Sequence, residues 1–183
     1  MTATTRVPPI LRRFGGDRRG VSAVEFALIA PMMIGLYLGC VEISDGVGAD
    51  RKVSLTASSL ANLAAQVSTI TNADMTNILN AATSIISPYS ASKLKITVTC
   101  LNIDSTGKVT VEWSDTKNGT ARAVGSSVAI PSALAVPSTH LIFAEVSYSY
   151  TPTVGYTITG TLNLSDTMYM SPRQSATVAR TAS

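Results

Sequence analysis

The sequence is short of the residues that most often carry out chemistry. It holds one histidine and two cysteines in 183 residues, and no Cys-x-x-Cys or Cys/His spacing, His-Glu-x-x-His, Gly-x-Ser-x-Gly or phosphate loop accompanies them. Without such patterns the chain offers no zinc set and no paired nucleophile and base, so we expect no enzyme, no cofactor and no metal. His140 follows Pro137-Ser138-Thr139 at the start of a strand pattern, where a surface or strand-edge histidine is the plain reading. Cys40 lies near the outer end of an apolar segment and Cys100 in a strand pattern. An oxidising compartment permits a disulfide between them, but their positions do not favour one, and both read as small buried hydrophobes. Asn118-Gly-Thr120 and Asn163-Leu-Ser165 match the glycosylation pattern, which chance supplies in so Ser/Thr-rich a chain.

Charge is scarce as well. Charged residues make up 14% of the chain against 45% hydrophobic, a balance that suits one modest domain plus a membrane segment. The net charge of +3 is unevenly placed. Arg6, Arg12, Arg13, Arg18 and Arg19 stand against Asp17 before Val21, leaving nine cations and ten carboxylates after it, a net of −1. Nucleic-acid binding needs clustered cations on the folded part, so we expect no nucleic-acid partner. Arginines packed before an apolar helix hold that end in the cytoplasm instead, and everything after Ile43 is then expected outside it.

From Phe26 to Val41 there is no charge at all, and Glu25 and Glu42 flank the gap. This stretch spans roughly 24 Å as a helix, short of a hydrocarbon core of about 30 Å. Val21 to Ala23 and Ile43 make up the difference, which puts Glu25 inside the membrane. A carboxylate there is costly, and its default reading is functional, with a partner to be named. Pro31 interrupts the segment, which membrane helices tolerate. Gly35 and Gly39 form a Gly-x-x-x-Gly pair on one face, a candidate helix-packing surface.

Beyond Glu42, Ser44-Asp45-Gly46-Val47-Gly48 weakens the helix and invites a hinge. Helical period resumes with Val53, Ala57, Leu60, Leu63, Ala64 and Val67 on one stripe, predicting one helix from about residue 20 to 67. Thr71 to Asp74 has capping-box spacing, and Met75, Ile78, Leu79, Ala82, Ile85 and Ile86 line one face of a second helix that Pro88 closes. Leu94, Ile96, Val98 and Cys100 alternate with polar residues, and Val109, Val111 and Trp113 resume the pattern after Asp104-Ser105-Thr106-Gly107. These two runs predict a hairpin with one buried face. The stretch from Trp113 to Ser138 reads as a long loop, 142–150 as a third strand and 162–170 as a fourth. From Ser171 we expect a strand end followed by disorder. Tyr148 and Tyr150 share the register of Val146 and are expected over the core, whereas Glu145 reads as an exposed strand carboxylate. The resulting class is α+β: a long membrane helix continuing into an amphipathic half, a second helix and a small antiparallel sheet of about four strands.

The segment Arg18-Arg19-Gly20-Val21-Ser22-Ala23-Val24-Glu25-Phe26-Ala27 resembles the prepilin processing site of type IV filament systems. Its Gly-x-x-x-x-Glu-Phe-Ala pattern is most similar to the TadE-like minor pilins (pseudopilins) of the tight-adherence, or Flp, pilus. Ala49-Asp50-Arg51-Lys52, Leu60-Ala61-Asn62-Leu63, Pro88-Tyr89, the Trp113 strand, Ala144 to Tyr150 and Ser171-Pro172-Arg173 follow the same pattern in the same order. The larger TadG-like relatives carry an inserted domain for which this chain has no room.

The resemblance implies a cytoplasmic leader over 1–20, cut between Gly20 and Val21 by a prepilin peptidase. A transmembrane helix over 21–43, its extension over 44–69 and an extracytoplasmic domain over 70–183 would follow. Glu25 and Phe26 then stand fifth and sixth in the mature chain as assembly and recognition residues. Glu25 would pair with its own new N-terminus, with that of an adjacent subunit, or serve only the peptidase or the headgroups; the resemblance favours the adjacent subunit. The implied partners are the peptidase, other pilins and pseudopilins of the Flp system, the inner-membrane assembly platform and the lipid bilayer. The implied place is the inner membrane, single-pass, with the C-terminal domain periplasmic. A membrane-anchored binding module that never enters a filament is the alternative.

Overall fold

A computed structural model describes residues 19–152 and 160–181. Residues 1–18 of the leader expected over 1–20, and the last two residues, therefore lie outside the described residues.

Helix α1 runs unbroken from Arg19 to Ala65, 47 residues with Pro31 inside it. Its two halves are different surfaces. Up to Val47, large apolar side chains such as Phe26, Leu28, Met32, Leu36 and Ile43 are exposed. From Ala49 onward a stripe of Ala49, Val53, Ala57, Leu60, Ala61 and Ala64 is fully buried. Small side chains along that stripe let the helix axis approach closely, and it packs on the sheet and the second helix. The expected hinge at Gly46 and Gly48 is replaced by continuous helix.

Short strand β1 (Thr69–Ile70) leads into helix α2 (Asn72–Ile85), which opens on the expected capping box. Thr71 Oγ1 accepts from the Asp74 amide at 3.2 Å, and the Asp74 carboxylate accepts from the Thr71 amide at 3.1 Å. Two amides that begin the helix without intrahelical partners are thereby satisfied. The Thr71 hydroxyl, which also donates to that carboxylate at 2.7 Å, and then the Thr71 amide hold the Asp74 carboxyl below its ordinary range. Met75, Leu79, Ala82 and Ile86 are buried against α1 and the sheet.

The main sheet consists of β2 (Leu94–Ile103), β3 (Val109–Lys117), β4 (Thr139–Tyr150) and β5 (Leu162–Met170) in the order β3-β2-β4-β5, with every neighbouring pair antiparallel. Helices on one face of an antiparallel sheet make the protein α+β, as the sequence predicts. On that face Leu94, Ile96, Val98 and Cys100 of β2 meet Ile142, Ala144, Val146, Tyr148 and Tyr150 of β4 in the core.

The hairpin buries both faces, not one. Cys100 pairs with Trp113 but Leu101 with Val111, so Glu112 is an extra residue on β3. Such a bulge reverses the side-chain alternation beyond it. Trp113 thus joins the helix-side core, while Val109 and Val111 join a second cluster with Leu101, Ile103, Leu141 and Phe143 on the other face.

The long loop predicted from Trp113 is shorter than expected, since β3 continues to Lys117. The rest of it lies over the second cluster, contributing Val128, Ile130 and Leu134. Backbone bonds hold it there: Gly125 N–H to Val111 O at 2.8 Å and Val111 N–H to Ser126 O at 3.0 Å. Gly125 has φ +80, a left-handed conformation that glycine adopts without penalty.

The tail also departs from expectation. Ala179–Arg180 forms β6, parallel to β1. Arg173 N–H bonds Ala65 O at 2.9 Å at the C-terminal end of α1, Val178 is fully buried, and Trp113 Nε1 donates to Val178 O at 2.7 Å. One buried side chain and a two-residue strand are too little for periodicity to register.

Candidate functional site

The residues singled out for processing and assembly lie on the first turns of α1. Gly20 has open space around its Cα, Val21 is 55% and Phe26 68% exposed, and Glu25 is exposed as well. Val21 and Glu25 stand four residues apart, about 6 Å along the axis, and so share one face of the helix.

Two turns further on, Gly35 and Gly39 are half-buried and share an apolar groove of about 450 Å³ with Pro31, Leu36, Cys40 and Ile43. Two glycines four residues apart strip the side chains from that stripe, and the groove is the space they leave. Cys40 is exposed in this groove, Cys100 is buried in the sheet, and both are free thiols. The expectation that both are buried therefore holds for Cys100 alone.

The same helix is gripped where its uncharged stretch ends. Glu42 is 2% exposed. Tyr89 donates its hydroxyl to the Asp45 main-chain carbonyl at 2.9 Å, and a Cβ on Gly48 would stand 3.1 Å from that hydroxyl. A Cβ on Gly46 would meet the Tyr150 ring at 3.8 Å. Tyr89 in turn lies 6.1 Å from both Tyr148 and Tyr150, tilted to the first and edge-on to the second, as ring quadrupoles favour. Burial, then Asp45, pushes the Tyr89 and Tyr150 phenols above their ordinary range. The sequence placed Tyr148 and Tyr150 over the core. Tyr89 entered only through the resemblance, and neither its contact with α1 nor the burial of Glu42 was foreseen, because a tyrosine after a proline and an acid beyond an apolar run carry no periodic signal.

On the far face of the sheet, Glu145 is paired rather than simply exposed. Arg122 donates from Nε at 2.8 Å and from a terminal nitrogen at 2.6 Å, a two-pronged carboxylate contact. Its guanidinium sits 5.4 Å from the Phe143 ring centre, and Phe143 stacks on Tyr169 at 4.5 Å. The Glu145 contact holds Arg122 above its ordinary pKa. Lys95, Thr97, Thr120, Ser147 and Asp166 line the polar groove beside this pair, about 490 Å³ in volume. Arg122 comes from the loop laid over the sheet, which is why strand alternation alone gave Glu145 no partner.

His140, one residue inside β4, lies 3.4 Å from Glu112, and the Cys100 thiol lies at the same distance from that carboxylate. Burial first, then Glu112, pushes the Cys100 thiol up to about 12. A thiol so shifted supplies almost no thiolate at neutral pH, and thiolate is the reactive form.

Residues 20–66 match the family model of TadE-like proteins. The match begins at Gly20 and stops one residue beyond the end of α1. Neither the curated proteins nor the solved structures contain a match.

Proposed function

Taking residues 20–66 as a TadE-like segment, we propose that the protein is a minor pilin, or pseudopilin, that takes part in assembly or initiation of a Flp-type pilus. The observation that carries this reading is the coincidence of the match with α1. The match covers a helix whose first half exposes apolar side chains around it and whose second half is built into a sheet domain. A bilayer or the packed helices of a filament can cover the first half, and one helix of this length and hydropathy fits a single-pass anchor.

In this reading 1–20 is a cytoplasmic leader, a prepilin peptidase cuts after Gly20, and the sheet domain lies on the periplasmic side of the inner membrane. Arginine excess before the helix supports that orientation. Glu25 pairs with the new α-amino group of an adjacent pilin, and the Gly35/Gly39 groove receives a neighbouring helix. Other pilins and pseudopilins, the assembly platform and the bilayer are the partners, and the role is assembly rather than catalysis, with no cofactor.

The alternative of a tethered binding module draws on the polar groove at Arg122 and Glu145. Sequencing the N-terminus of protein extracted from membranes decides first. A start at Val-Ser-Ala-Val-Glu is expected, and an uncut chain in cells that possess the peptidase would overturn the pilin reading.

A further inference from the structure

Helix α1 enters the sheet domain without a linker. The uncharged stretch ends at Val41, yet the domain already holds the helix through buried Glu42, the Asp45 carbonyl and Gly46. One helical turn, about 5.4 Å, separates the end of that stretch from these contacts. The end of the sheet beside them carries the connection from α2 to β2 (residues 86–93), the turn after β3 (118–120) and the ends of β4 and β5, where Tyr150 pairs with Leu162. If α1 spans a bilayer, this base lies at headgroup level.

The loops and strand ends at this base carry charge of one sign. The segments 86–97, 116–121, 148–152 and 160–165 contain Lys93, Lys95 and Lys117 and no carboxylate. Lys93 and Lys95 are exposed, and among the described residues neither forms an ion pair. Lys93 Nζ donates to the Thr151 hydroxyl at 3.2 Å, while Lys117 is engaged by Asn80 at 2.8 Å. Carboxylates near this end come from α1, as Glu42, Asp45 and Asp50, and from further up the far face of the sheet, where Glu145 and Asp166 line one groove with Lys95. Tyr89 is half-buried with its hydroxyl on α1, and Leu162 is 38% exposed. Amphipathic rings and long cationic stems of this kind suit the boundary between headgroups and acyl chains.

We infer that the base of the domain is a lipid-docking surface, with Lys93 and Lys95 binding the phosphates of anionic phospholipids while Tyr89 and Leu162 rest at the apolar boundary. The inference depends on α1 being a bilayer anchor. It adds that the domain leans on the leaflet instead of standing clear of it.

The full chain in phosphatidylcholine nanodiscs, with and without phosphatidylglycerol and doped with a paramagnetic-headgroup lipid, tests this by amide NMR. Broadening should concentrate at residues 88–93 and 161–163, spare the Asp104 to Lys108 turn, and strengthen with phosphatidylglycerol. Lys93→Gln with Lys95→Gln should lower the docked-to-free ratio roughly 30-fold in anionic discs, and the paired arginine variant should restore it. Equal broadening at both ends of the sheet, or no response to phosphatidylglycerol, would overturn the inference. Co-flotation of the same chain with vesicles reports the anchor separately. Loss of flotation sinks the anchor reading, whereas flotation without broadening at the base sinks the docking surface alone.

Discussion

Tyr89 and Asp45 are joined side chain to main chain: the phenol donates to the Asp45 carbonyl at 2.9 Å across 44 positions of sequence. This bond fastens the connection after α2 to the helix just past its apolar half. It also explains why glycine stands at position 48, where any Cβ would crowd the hydroxyl at 3.1 Å.

Gly48→Leu should therefore loosen this junction despite leucine's better helix propensity. Tyr89→Phe, which keeps the ring and removes the donor, should cost about 1 kcal/mol. Denaturant unfolding of the detergent-solubilised chain, followed by Trp113 fluorescence, measures both. A Gly48→Leu variant at least as stable as the parent would show that the close approach is not needed.

Glu25→Ala should leave cleavage after Gly20 largely intact and keep the protein in the membrane, while abolishing crosslinks to other pilins and pilus formation. The carboxylate's alternatives in lipid are an unpaired charge or a protonated acid, both poorer than a neighbour's amine. Normal pili at wild-type expression would remove the pairing role. Failure of cleavage would move that role to peptidase recognition.

Trp113→Phe removes the donor to Val178 O and leaves a partly filled space in the helix-side core. A loss of about 1–3 kcal/mol is expected from the combined hydrogen bond and packing deficit. Residues 171–181 should become sensitive to limited proteolysis before the rest of the domain. Simultaneous cutting of tail and domain would mean that the tail does not depend on this tryptophan.

Cys100 predicts an alkaline dependence of stability. Its thiol is raised from 9.0 to about 12 in the folded chain, so the unfolded state gives up the proton first as pH rises. Stability from this group should be level below about pH 9 and fall between about pH 9 and 12, by up to about 1.4 kcal/mol per pH unit. Cys100→Ala should flatten that part of the curve. An unchanged slope in the alanine variant would assign the alkaline loss to other groups.

The sequence by itself determined the elements whose signals are local. An uncharged apolar run, a small-residue stripe and a Thr-Asp capping box define two helices, because each depends on residues within a turn or two of one another. Alternation likewise specified the β2 and β4 core faces and the limits of β5. Only the tertiary structure decided where alternation reverses, since the Glu112 bulge follows from pairing β3 with β2 and sends Val111 and Trp113 to opposite faces. It also decided the partners of Glu145, Asp45 and Val178, which come from 23, 44 and 65 positions away. Bonds at such separations form only after the chain has folded back on itself, so no window of sequence contains both halves of them.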